Sequence, residues 1–168
     1  MILGIDPSFT STGVCLLDTQ TNKIVTAKFG VKGSCYSSIT SNHEACEYII
    51  DNIKEFVGDN THDLHVICEY PALATKSGAY LAILNGYLTP YLKSIAKSIT
   101  WVPPTACDSF TKNKEHSKTF LVEWCKRNKL INKRTSHDEC TAIIFTQLLL
   151  AIRDKKYKNS SFTWFRGS

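Results

Sequence analysis

The sequence predicts an α/β fold on a mixed five-stranded sheet, an antiparallel meander followed by parallel strands, with helices on both faces. Three observations predict it. Three strand-like apolar runs follow one another near the N-terminus with only short turns between them. After them, strands and helices alternate. The fourth strand-like run carries apolar residues at adjacent positions, as a strand covered on both faces must.

The first strand is Ile2 to Asp6, a short apolar run that ends in an acid, and the second runs from Gly13 to Asp18. Thr19-Gln20-Thr21-Asn22 supplies turn residues, and Lys23 to Val31 alternates enough for a third strand. After the polar stretch Gly33 to Ser41, Ser41 or Asn42 caps a helix with Ala45, Ile49, Ile53 and Phe56 on one stripe, closed by Gly58-Asp59-Asn60. His65 to Glu69 is the fourth strand. A helix from Ser77 to Lys97 contains Pro90, expected to kink or divide it. Ile99 to Val102 is the fifth strand, stopped by Pro103-Pro104. Helices follow at about Ser117 to Asn128 and from Ser136 to about Arg153. A domain over 1–154 and a polar C-terminal tail over 155–168 are the expected organisation.

The length of 168 residues suits one domain, and a hydrophobic share of 43% can fill a core. The apolar stretch Ala142 to Ile152 falls short of the ~20 residues a spanning helix needs. The opening Met1-Ile2-Leu3-Gly4 lacks the basic region of a signal peptide. The expected location is therefore the cytoplasm of a bacterial or phage-infected cell, with an organellar matrix as the alternative. Seven cysteines, an odd number with no Cys-x-x-Cys pair, read as small hydrophobes in a reducing compartment.

Charge is unevenly placed. The net is +5, yet residues 1–111 carry seven Lys/Arg against ten Asp/Glu, and residues 112–168 carry thirteen against five. A basic half implies an anionic partner. The densest part is 112–134, where Lys112, Lys114, Lys118, Lys126, Arg127, Lys129, Lys133 and Arg134 face only Glu115 and Glu123.

Three acids stand out by position: Asp6 ends the first strand, Glu69 ends the fourth, and Asp138, beside Glu139, opens the last helix. If the two strands are parallel neighbours, Asp6 and Glu69 emerge side by side. Clustered carboxylates repel, so they call for a cation. Mg²⁺ prefers such oxygen ligands, and two ions about 3.5–4 Å apart can hold both the attacking water and the leaving oxygen of a phosphodiester. Taken singly, each acid also fits an ordinary role: a strand-end turn residue, or a complement to the helix dipole.

These residues carry a resemblance. Gly4-Ile5-Asp6-Pro7-Ser8, continuing to Gly13, resembles the opening motif of the RuvC family of Holliday junction resolvases, nucleases of the RNase H-like superfamily. Val66-Ile67-Cys68-Glu69-Tyr70-Pro71 is similar to the family's second motif, and His137-Asp138-Glu139-Cys140-Thr141-Ala142 to its third. The likeness spans about residues 1–150. It implies an RNase H-like fold and a Mg²⁺-dependent crossover junction endodeoxyribonuclease with two ions, Mn²⁺ serving as substitute. Asp6, Glu69 and Asp138 would hold the metals. The family places a second ligand three residues on, which here is Thr141, a poor one; His137 or Glu139 fills the place instead. Lys118 resembles a lysine close to the active site, and Lys112, Lys114, Lys126 and Arg127 fall where the family contacts DNA. Phe9, Tyr36, Tyr70 and Tyr80 are candidates to stack on unpaired bases.

The function expected is resolution of four-way DNA junctions. The near two-fold symmetry of the junction calls for a homodimer. A related nuclease acting on flaps, forks or RNA, and a non-catalytic junction-binding module, are the alternatives. An actin-like phosphate loop is disfavoured, because the second half lacks another such loop.

Overall fold

A computed structural model of the chain describes residues 1–31, 39–70, 76–131, 135–157 and 163–166. The strands are β1 (Ile2–Asp6), β2 (Thr12–Leu17), β3 (Ile24–Phe29), β4 (His65–Glu69), β5 (Ser98–Val102) and β6 (Thr163–Arg166). The helices are α1 (Ile39–Val57), α2 (Lys76–Ile95), α3 (Ala106–Thr111), α4 (Lys118–Arg127) and α5 (His137–Arg153). The sheet order is β3-β2-β1-β4-β5-β6. β1–β2 and β2–β3 are antiparallel, while β1–β4 and β4–β5 are parallel. The meander, the parallel strands and the α/β architecture expected from the sequence are all present.

β1 and β4 occupy the middle of the sheet because both are apolar on both faces. Strand alternation sends Leu3, Ile5, Val66 and Cys68 to one side. There they pack with Ile49 and Ile53 of α1 and Leu84, Leu88 and Leu92 of α2. Ile2 and Ile67 go to the other side, against Cys107 of α3, Leu121 and Cys125 of α4, and Ile143, Ile144 and Leu148 of α5. This two-layered core explains the cysteines: the six described ones are buried and unpaired, while Cys35 lies outside the described residues.

Several boundaries differ from the sequence reading, for local reasons. α2 runs through Pro90 without interruption, and the Thr89 hydroxyl bonds the Asn85 carbonyl within it. α1 starts at Ile39, ahead of Ser41 and Asn42. α3 is a short helix the sequence reading did not include; six residues give too little periodicity to see. The sixth strand is also new. The segment expected to belong to a polar tail contributes β6, which pairs antiparallel with β5, Ile99 opposite Phe165. It covers the outer edge of β5, which would otherwise present unpaired backbone groups. Among the described residues no helix is long and apolar enough to cross a membrane.

Candidate functional site

Asp6 and Glu69 close adjacent parallel strands, so their Cα positions lie at the same end of the sheet. Alternation places both side chains on the Ile2 and Ile67 face, the one covered by α5. The first turn of α5 then decides whether a third acid reaches them.

Two glycines let it do so. A Cβ added at Gly4 would lie 2.2 Å from the Ala142 carbonyl oxygen, and one at Gly13 would lie 2.1 Å from the Asp138 carbonyl oxygen. The backbone of α5 therefore rests directly on β1 and β2, at a distance any side chain would block. The turn between those strands is fixed as well. Thr12, fully buried, donates its hydroxyl to the Ser8 carbonyl and accepts from the Ser8 N–H. One residue earlier, Ser11 Oγ donates to Asp138 Oδ2 at 2.5 Å.

The helix start is set by its own sequence. Ser136 is the N-cap, and its side chain accepts from the Glu139 N–H. Glu139 completes a capping box by accepting from Ser136 N at 3.0 Å and Ser136 Oγ at 2.6 Å. Thr26 Oγ1 donates to its other oxygen at 2.9 Å. Glu139 is thus engaged with the cap and β3 and does not join the acids.

His137 does join them. Ligand atoms of Asp6, His137 and Asp138 all lie within 4.8 Å of one another. His137 Nδ1 is 3.4 Å from Asp138 Oδ1, and its Nε2 is 3.5 Å from Thr141 Oγ1. Thr141, 5% exposed, also donates to the His137 carbonyl, and its hydroxyl lies within reach of the Asp6 side chain. The threonine in the expected ligand position therefore orients two neighbouring groups.

The charges are unbalanced. Burial, then the charges of Glu69 and Asp138, push the Asp6 carboxyl well above its ordinary range, against the Thr141 hydroxyl and the Lys118 charge. Burial raises Glu69 to about 7. Asp138 goes the other way, to about 2, because His137 and Ser11 hold its charged form despite burial. Two of three carboxyls thus resist ionisation as the chain stands, which is the condition a bound cation relieves. Three carboxylates and an imidazole suit a hard or borderline divalent ion.

Lys118, the exposed first residue of α4, is close enough to act on Asp6 electrostatically. Lys112 and Lys114 are exposed on the loop before it, and the loop is tightly held. Asn113, 3% exposed, donates to Asp108 Oδ1 at 2.6 Å and to the Ser117 carbonyl at 3.1 Å. His116 Nδ1 lies 2.5 Å from Asp108 Oδ2. Lys126 and Arg127 sit at the far end of α4, about 12–13.5 Å along the helix axis from Lys118 at 1.5 Å per residue. Lys126 pairs with Glu123 at 2.7 Å, and Arg127 lies over the Phe120 ring at 5.6 Å. Lys129 is exposed just beyond, while Lys133 and Arg134 lie outside the described residues.

Of the aromatic candidates, Tyr70 is 51% exposed directly after Glu69, and Tyr80 is 37% exposed. Phe9 is 4% exposed and belongs to the core, its ring edge-on to Tyr80. Tyr36 lies outside the described residues. Sequence reasoning did not pick out Ser11 or Asn85, whose amide donates to the Glu69 carbonyl at 3.1 Å. For Ser11 a signal existed: it stands in the small-residue turn that follows the first acid.

Sheet order and helix placement are those of a RuvC-like, RNase H-like α/β fold. Among solved structures, the chain is similar to a Thermus thermophilus RuvC structure, with a TM-score of 0.63 and 14% identity over 92% of this chain and 96% of that one. It is also similar to T. thermophilus RuvC in complex with a Holliday junction substrate, with a TM-score of 0.60 and 12% identity over 90% and 94%. No protein-family model matches the chain, and neither does any curated protein.

Proposed function

We propose that this chain is a Mg²⁺-dependent endodeoxyribonuclease that resolves four-way DNA junctions by hydrolysing phosphodiesters. The observation that carries the reading is the convergence of Asp6, His137 and Asp138, with ligand atoms within 4.8 Å, beside Glu69. In the resolvase reading these four residues hold the divalent ions. When bound, such ions supply Lewis acidity and an activated water at neutral pH. Ser11 and Thr141 orient the ligands, and Lys118 offers a positive charge to the phosphate undergoing attack. Lys112 and Lys114 fit phosphate contacts beside the site, and Lys126 and Arg127 more distant ones.

Branched DNA as the substrate is supported by the likeness to a RuvC bound to a Holliday junction. A homodimer matches the symmetry of that substrate. The exposed Tyr48, Ile83 and Tyr87 on α1 and α2 offer an apolar surface for it. The compartment proposed is one that holds DNA and keeps thiols reduced, the cytoplasm of a bacterial or phage-infected cell. The test is cleavage of a synthetic mobile four-way junction in Mg²⁺ and in EDTA, beside flap, fork, linear duplex and RNA substrates. Junction cutting only with metal supports the reading. Preference for a flap or RNA would reassign the substrate, and junction binding without cutting would make the chain a binding module.

A further inference from the structure

We infer that Asn85 is a positioning residue that fixes Glu69 from behind the sheet. The inference rests on the metal-site reading above and deepens it. α2 packs on the face opposite α5, through Leu84, Leu88 and Leu92 at four-residue spacing. Asn85 stands beside that stripe and is 5% exposed. Its Nδ2 donates to the main-chain oxygen of Glu69 at 3.1 Å. Its Oδ1 is buried and has no hydrogen-bond partner among the described residues.

A buried amide with a bare acceptor destabilises a fold, and an apolar residue would fill the same place without that penalty. The asparagine is therefore accounted for by the side-chain bond it makes among the described residues. That bond falls where the ladder fails. The Tyr70 N–H donates to the Val102 carbonyl on the β5 side, at 2.6 Å. The Glu69 carbonyl belongs to the same trans peptide, so it points the other way, toward β1. The ladder between β1 and β4 ends one residue earlier, at Ile5 opposite Cys68. Without Asn85 this carbonyl has no strand partner among the described residues, and the last residue of β4 is held through its β5 side, where Glu69 pairs with Val102. The Glu69 side chain projects to the α5 face, so Asn85 lies behind the strand from it. It sets the position of Glu69 and does not take part in the chemistry.

The test compares Asn85→Leu, which removes the donor, with Asn85→Gln, which keeps one. Mn²⁺ affinity is measured by calorimetry on the full chain, with the half-saturating Mg²⁺ concentration for junction cleavage and Tm in EDTA alongside. Loss of an outer-shell support lowers metal affinity roughly 10–100-fold. Asn85→Leu should therefore weaken Mn²⁺ binding by about tenfold or more and raise the Mg²⁺ requirement in step. Its Tm in EDTA should change little, because the bare Oδ1 is removed while the Glu69 carbonyl loses its donor, and Asn85→Gln should recover part of the affinity. Should Asn85→Leu fail to fold, Asn85→Ala makes the same comparison. A wild type that binds Mn²⁺ with variants of equal affinity, whatever their Tm, overturns the positioning role alone. A wild type that neither binds Mn²⁺ nor cuts overturns the metal-site reading, and this inference with it.

Discussion

Replacing Gly13 with alanine tests how the site is assembled. The added Cβ would lie 2.1 Å from the Asp138 carbonyl oxygen, 2.4 Å from its carbonyl carbon and 2.9 Å from the Glu139 nitrogen. All three are backbone atoms of the first turn of α5, so no side-chain rotation can make room. Ordinary contact begins near 3.5 Å, so that turn must retreat by about 1 Å or more. Overpacking of this kind costs about 1–3 kcal/mol of stability, or roughly 2–12 °C in Tm for a chain of this size. The effect on the site is larger, because a 1 Å displacement of a reacting constellation costs about 100-fold in rate. Gly13→Ala should therefore keep its far-UV spectrum and junction binding while cleavage falls about 100-fold and Mn²⁺ affinity drops. Gly86→Ala is the control. A Cβ there meets nothing within 4 Å in an exposed turn of α2, and the change should add about 0.5–1 kcal/mol. Single-turnover cleavage by Gly13→Ala within threefold of wild type, with unchanged Mn²⁺ affinity, would refute the claim that backbone contact of α5 with β2 sets the position of Asp138.

Other expectations follow from the same geometry. Asp6→Asn and Glu69→Gln should each abolish cleavage while junction binding persists in Ca²⁺; in a gel-shift assay, lost binding would point to a folding defect instead. In EDTA, Glu69 titrates near 7 rather than at the ordinary 4.5, so its contribution to stability is full below 4.5 and lost as pH rises through 7. Tm in EDTA should accordingly fall between pH 5 and 8, Glu69→Gln should flatten that fall, and a parallel decline in the variant would exclude Glu69 as the source. Asp138→Asn should be as damaging to cleavage as Asp6→Asn, whereas Glu139→Ala should mainly cost about 1 kcal/mol in chemical denaturation through the lost capping box; the reverse pattern would place the functional acid one residue later. Lys118→Ala should slow cleavage more than it weakens binding, while the double change Lys126→Ala and Arg127→Ala should lower the salt slope of binding by about 0.9 per lost phosphate contact. An unchanged slope would remove that pair from the interface.

The sequence alone determined what depends on neighbours along the chain. β1 and β4 were legible to the residue, because a short apolar run ended by an acid needs no distant partner to define it. The opening of α5 was legible through Ser136 as cap, and the Ser-x-x-Glu spacing already held the signal that Glu139 serves that cap. Asp6 and Glu69 as neighbours followed from reading two parallel strands ending together.

What only the tertiary structure decided involves residues far apart in the chain. The i, i+3 rule put Thr141 with Asp138 on one helix face, yet His137 is the residue that meets Asp138 and Asp6. Helical spacing gives the angle between side chains but not the depth or tilt at which a helix lies on its sheet. That depth was set by the missing side chains of Gly4 and Gly13, which allow α5 to touch backbone. The Ser11–Asp138 bond spans 127 residues and the Asn85–Glu69 bond joins two elements on different layers. β6 is paired by an edge of β5 that no local pattern in residues 163–166 reveals. Periodicity and capping are local energies written in consecutive residues; the meeting of Asp6, His137 and Asp138 is a property of packing, which many sequences can satisfy and no short window contains.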